Sequence, residues 1–199
     1  MHGLSPDDVV VGIVARIQKH RKYEILFDAL EKALDRAPSL RLLVVGRGTH
    51  EDELAKNPAA RDGLAGRVIL SGYLRDEQYV GAIAAMDAKV FLVPGTDGTC
   101  RAARETLAMG VPVIATSRGL LPEIIEDGIT GLLVEEDVDA LATALVEMSR
   151  PDGLRASLAV EARERARKRF DPVRYAESVV KFTRQRFPTR LEEGPPASR

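Results

Sequence analysis

Residues 94–110 read PGTDGTCRAARETLAMG, and this stretch decides how the rest of the chain is understood. Ahead of it stands VFLV (90–93) and behind it VPVIA (111–115), two short apolar runs rich in β-branched residues, each of which reads as a buried strand. Between them, Gly95 and Gly98 permit unusual backbone angles and close approach to a ligand. AARETLAM (102–109) then supplies helix formers that stop at Gly110. The unit is strand, glycine loop, helix, strand. In an open parallel sheet, ligands sit beyond the carboxyl ends of the strands, where such loops meet helix N-termini whose free amides favour anions.

Two carboxylates frame the loop and helix, Asp97 and, eight positions on, Glu105. Neither has an evident ion-pair reason to be there. An aspartate can serve a turn and a glutamate can solvate a helix face. Beside an anion site, however, carboxylates accept hydrogen bonds from several hydroxyls, which suits a sugar or a ribose, and the framing glycines and strands favour that reading.

Outward from this unit the alternation continues in both directions. VVVGIVA (9–15) is an almost wholly apolar strand, the pattern of a parallel strand covered on both faces, and RIQKHRK (16–22) leaves it as a basic loop. A helix is expected from about Tyr23, with apolar residues at helical spacing up to Leu34, followed by a strand over 40–45 that runs into Gly46-Arg47-Gly48. That glycine turn is similar to a dinucleotide fingerprint but lacks the third glycine, so a dinucleotide-dependent oxidoreductase is a weak alternative. Residues 51–64 read as partly helical, 67–72 as the third strand, 76–86 as a helix and 131–134 as the sixth strand. From Val138 the chain reads as helices over 138–148, 154–169 and 172–186, with 188–199 as a disordered tail. The whole argues for an α/β, doubly wound, Rossmann-like and mainly parallel six-stranded sheet with C-terminal helices, one domain over 1–187.

Bulk properties narrow the function. The 199 residues carry 29 basic against 30 acidic side chains, a net charge of −1, so no nucleic-acid partner is indicated by charge. The single cysteine, Cys100, excludes an internal disulfide framework and a multi-cysteine metal site; the three histidines have no metal-ligand spacing, and His20 decorates the basic loop. The opening MHGLSPDDVV lacks the pattern of a secretory leader and no apolar run approaches a membrane span, so a cytoplasmic location is expected.

These motifs together resemble the C-terminal, donor-binding domain of retaining glycosyltransferases with the GT-B architecture, the glycosyl transferases group 1 family. The most specific part is the acidic pair, usually two glutamates and here Asp97 with Glu105. ETLAMGVPVIA (105–115), PEIIEDG (122–128) and GLLV (131–134) continue the likeness. The resemblance implies that Arg16 and Lys22, six apart after the first strand, bind the donor diphosphate, that Glu105 holds the ribose hydroxyls and that Asp97 contacts the transferred sugar. It further implies that Gly98, Thr99 and Cys100 form the loop near phosphate and sugar, that Tyr73 and Leu74 cradle the base, and that Gly46 is a close-approach glycine at the cleft. No metal or other cofactor is implied, since the two cations can do the electrostatic work of a metal. The implied partners are a nucleotide-sugar donor and an N-terminal acceptor domain whose sequence is not among these residues. Without that domain the chain is expected to bind nucleotide and transfer little; a non-catalytic nucleotide-sugar-binding or assembly module is the competing reading. Asp97 is one methylene shorter than the usual glutamate, Thr99-Cys100 replaces an aromatic-glycine pair, and Tyr23 stands where glycine usually follows the basic residue.

Overall fold

The computed structural model describes residues 4–96, 98, 100–151 and 153–187; Asp97 and Thr99 of the central loop and the expected tail at 188–199 lie outside the described residues. Six strands, β1 (Val9–Val14), β2 (Leu40–Val45), β3 (Val68–Gly72), β4 (Ala88–Phe91), β5 (Val113–Thr116) and β6 (Gly131–Val134), form one sheet in the order β3-β2-β1-β4-β5-β6. Every pairing is parallel. The expected Rossmann-like α/β fold is therefore what the chain adopts, with the reversal of strand order between β1 and β4, where ligands of such sheets collect.

The period-2 side-chain alternation sorts the apolar runs onto two faces. Val9, Val11 and Ile13 of β1, Leu40, Leu42 and Val44 of β2 and Ala88 and Val90 of β4 enter one core. That core is roofed by α1 (Tyr23–Leu34) and α6 (Val138–Ser149), through Leu26, Leu30, Leu141 and Leu145. On the other face, Phe91, Val113 and Ala115 meet α4 (Arg101–Ala108) and α7 (Leu154–Arg169) through Ala103, Leu107, Ala162 and Ala166. Val10, Leu43 and Val45 meet α3 (Asp76–Ala84) through Ala82 and Ile83. The polar stretch expected to be helical in part is a π turn at Asp52–Lys56, a short α2 (Asn57–Ala59) and a 3₁₀ turn at Asp62–Leu64.

Two strands start two residues away from where the sequence reading puts them. β4 begins at Ala88 because Ala88 and Lys89 pair with Val11 and Gly12 of β1, and Lys89 also pairs with Val113 of β5. A charged residue thus occupies the middle of the sheet. β5 correspondingly starts at Val113, after Pro112, which lacks the amide a ladder needs. The run LLPEII becomes the short α5 (Leu121–Ile124), with Pro122 in its first turn. The last helix, α8 (Pro172–Arg186), buries none of its residues.

Candidate functional site

The exits of β1, β2 and β3 run side by side beyond the sheet. The Ala15 amide donates to the Val45 carbonyl (3.1 Å), that of Ile17 to Arg47 (3.1 Å), and that of Gly46 to Gly72 (2.8 Å). Gly46 has φ +149°, and a Cβ there would lie 2.0 Å from the Ala15 carbonyl oxygen. Its close approach is therefore to the neighbouring backbone, which only glycine permits. These aligned exits form one wall of an open cleft, and α3 and α4 form the other.

The main chamber, of about 970 Å³, is lined by Arg21, Tyr73, Leu74, Tyr79, Phe91, Gly98, Arg101 and Glu105 among others. An adjoining hollow of about 490 Å³ adds Arg16, Gly46 and Arg47 and shares Tyr73, Leu74 and Tyr79 with the first. One cleft thus gathers Arg16, Gly46, Tyr73, Leu74, Gly98 and Glu105 from five separate segments. Tyr73 is 58% exposed, which places it on the surface of the cleft rather than in the core, and the Arg75 guanidinium lies 5.2 Å from its ring centroid.

Glu105 has partners the sequence did not suggest. The Tyr79 hydroxyl donates to its Oε2 (2.8 Å) and Arg101 Nε donates to its Oε1 (2.8 Å), so the carboxylate is fixed from α3 and from one helical turn earlier in α4. The expectation that Glu105 lacks an ion-pair reason is corrected by Arg101, at the i,i+4 spacing that brings side chains together on a helix. Burial, reinforced by the bond to Glu105, pushes the Tyr79 hydroxyl well above the usual tyrosine range, so Tyr79 remains a donor.

Of the expected basic pair, Arg16 lines the adjoining hollow and Lys22 is held in an ion pair. Lys22 has φ +59° at the start of α1 and its Nζ lies 3.2 Å from Glu136 Oε1. Arg118 bonds the other oxygen of Glu136, and Lys22 and Glu136 are not among the described residues that line these two hollows. Arg21, the residue before, lines the main chamber and also a small pocket with Val90 and Phe91. Its Nε is buried with no hydrogen-bond partner among the described residues.

Cys100 is fully buried at the start of α4, and its amide donates to the Thr96 carbonyl (2.9 Å), so that amide is occupied within the loop. A Cβ at Gly95 would lie 2.5 Å from the Cys100 sulfur, which explains that glycine by packing. His20 is exposed, as the sequence suggests. Sequence reasoning passed over Arg21, Tyr79, Arg101 and Lys89. For Arg101 the i,i+4 spacing to Glu105 was a visible signal, and for Lys89 its charge inside an apolar run was another. No helix among the described residues is long and apolar enough to cross a membrane.

A doubly wound parallel sheet with a polar cleft at the carboxyl ends of its strands is the Rossmann-like class, which the domains of GT-B glycosyltransferases share. Within that class the chain belongs to the glycosyl transferases group 1 family, which it matches over residues 8–150. It is 34% identical over 173 residues to a D-inositol 3-phosphate glycosyltransferase of Actinosynnema mirum, covering 83% of this chain and 42% of that protein. It is 31% identical over 175 residues to a phosphatidyl-myo-inositol mannosyltransferase of Mycolicibacterium smegmatis, covering 86% and 44%. The chain therefore spans less than half the length of these curated relatives. Among solved structures, Anabaena Alr3699/HepE in complex with UDP and glucose is similar with a TM-score of 0.77 at 25% identity, covering 90% of this chain and 49% of that one. The C-terminal domain of a glycosyl transferase group 1 family protein (LpcC) from Francisella tularensis is similar with a TM-score of 0.72 at 25% identity, covering 82% and 87%.

Proposed function

We propose that this chain is the donor-binding half of a retaining glycosyltransferase, and that its cleft holds a nucleoside-diphosphate sugar. The observation that carries the reading is the meeting of cations and a carboxylate in one cleft: Arg16 and Arg21 on the β1 exit, and Glu105 held by Tyr79 and Arg101 on the opposite wall. Guanidinium groups bind phosphate oxygens in a planar, bidentate fashion, so Arg16 and Arg21 suit the diphosphate. A carboxylate whose own donors leave lone pairs exposed suits ribose hydroxyls. Tyr73 offers a ring face to the base, and Gly98 lines the same chamber; the sugar contact is assigned to Asp97, outside the described residues. The UDP-bound relative supports the same ligand class.

In this reading the arginines stabilise negative charge as the diphosphate departs, in place of a divalent cation, and the sugar passes to an acceptor hydroxyl with its anomeric configuration kept. The acceptor site belongs to the N-terminal half that the longer relatives contain, in a cytoplasmic enzyme. Calorimetric titration with UDP, GDP, ADP and NAD, with and without magnesium, tests it. The expected result is selective, magnesium-independent binding of one nucleoside diphosphate, weakened at least tenfold by Glu105→Ala. Preference for NAD, or binding that needs magnesium, would overturn the reading.

A further inference from the structure

Lys89 lies outside every role considered above. It sits in β4, between β1 and β5, fully buried, and its Nζ has no hydrogen-bond partner among the described residues. An ammonium taken out of water without a partner is costly, and lysine is almost never buried this way. Its surroundings show what compensates. The neighbours Gly12 and Val113, paired with it on either side, carry no charge. On its own strand, two residues on, the Phe91 ring centroid is 5.7 Å from Nζ, and Phe91 lines the cleft. From α4 two ionisable groups act on it, Glu105 first and Cys100 second, and both favour its charged form against the effect of burial. Lys89 and Phe91, two apart, point to the same face of β4, the face that Ala103 and Leu107 of α4 cover, and Phe91 and Glu105 line one chamber.

We infer that Lys89 is a positioning residue for the Glu105 carboxylate, an inner counter-charge that draws it toward the floor while Tyr79 and Arg101 hold it from the cleft side. The carboxylate is then set by three groups from three elements: Lys89 from β4, Tyr79 from α3 and Arg101 from α4. Hydrogen bonds fix its two oxygens, and the unpaired buried charge fixes the depth at which it rests. Burial pushes the Lys89 ammonium down to about 7, so this counter-charge is present below neutral pH and fades above it. Among the described residues the groups that face the pair are Cys100 and Arg101 at the start of α4, the Tyr79 hydroxyl of α3, and Arg21, which lines a small pocket with Val90 and Phe91. The consequence for ligand binding rests on the proposed function of the cleft, whereas the charge coupling does not.

Carbon–proton NMR of the lysine ε-methylene groups across pH tests the coupling without any ligand. One resonance should titrate near neutral pH and be absent from Lys89→Met. In Glu105→Gln its midpoint should fall by about half a pH unit or more, and in Cys100→Ala by less. A second arm measures UDP, GDP and ADP binding at pH 6.5 and 8.5, chosen as about half a unit below and well above that midpoint. Lys89→Met should weaken the nucleotide that binds about tenfold at the lower pH and little at the higher, with no further loss when combined with Glu105→Gln. Thermal unfolding of Lys89→Met confirms that the variant is folded. A lysine midpoint indifferent to Glu105→Gln, or nucleotide binding indifferent to Lys89→Met, would overturn the inference. If none of UDP, GDP and ADP binds the parent chain while the midpoint still moves, the nucleotide reading falls and the Lys89–Glu105 pairing stands.

Discussion

Arg21 and Lys22 are adjacent in sequence and chemically similar, yet the chain treats them differently. Lys22 occupies a left-handed conformation that costs an ordinary side chain about 1 kcal/mol, and its charge is bound to Glu136. Arg21 reaches the cleft with a buried, unpartnered Nε. Arg21→Ala is expected to weaken nucleoside-diphosphate binding about tenfold or more, a loss of roughly 1.4 kcal/mol, whereas Lys22→Gly should change binding less than about threefold and leave stability equal or higher, because glycine adopts that φ freely. Calorimetry and thermal unfolding of both variants check this, and the reverse order would return the anion-binding role to Lys22. Tyr79→Phe removes one of the two hydrogen bonds that orient Glu105 and should weaken binding by about 1 kcal/mol, roughly fivefold, read by the same titration. The acidic position itself was legible because glycines and apolar strands frame it. Its fixing by Tyr79 was not, since the two residues lie 26 positions apart and meet only where α3 packs beside α4.

At the scale of elements, the cleft depends on strand exits that touch backbone to backbone. Gly46→Ala would drive a methyl into the Ala15 carbonyl and strain φ, parting the β1 and β2 exits; a loss on the order of 2–3 kcal/mol in chemical denaturation is expected, with weaker nucleotide binding beside it. Helix α6, which roofs α1, is held at its start by Asp137, whose Oδ1 accepts from the amides of Asp139 and Ala140 at 2.9 Å each. Asp137→Ala should cost about 1 kcal/mol of stability without touching ligand affinity, a comparison that separates framework from site. Several of these elements were readable from the sequence: α1 falls where the apolar spacing puts it, and α7 over the charge-dense stretch read as helical. β4 was not. Lys89 reads as the polar edge of an apolar run, and only pairing with β1 and β5 on both sides draws it into the sheet.

At the scale of the whole molecule, the buried lysine leaves a signature in stability against pH. Its folded value near 7 lies below its ordinary value of about 10.5, so between those limits the unfolded chain binds more protons than the folded one, and stability rises with pH. The rise from this group is at most about 1.4 kcal/mol per pH unit, and the penalty is complete below pH 7. Tyr23, buried with its hydroxyl donating to the Ala15 carbonyl, and Tyr79 are raised instead, so their contribution falls as pH passes 10. Urea unfolding should therefore strengthen from pH 7 to 9 in the parent chain, and Lys89→Met should flatten that slope while being the more stable at pH 7. An equal slope in both would mean that Lys89 is hydrated in solution. The sequence by itself determined the six-stranded alternating fold, the glycine loop and the place of the acidic residue, because apolar period and backbone freedom are local properties that a chain carries into any environment. Only the tertiary structure decided that Arg21 lines the cleft, which distant hydroxyl orients Glu105 and that the Lys89 charge is buried in the sheet. Those depend on where separate elements bring their side chains together, and on a burial that no single stretch of sequence contains.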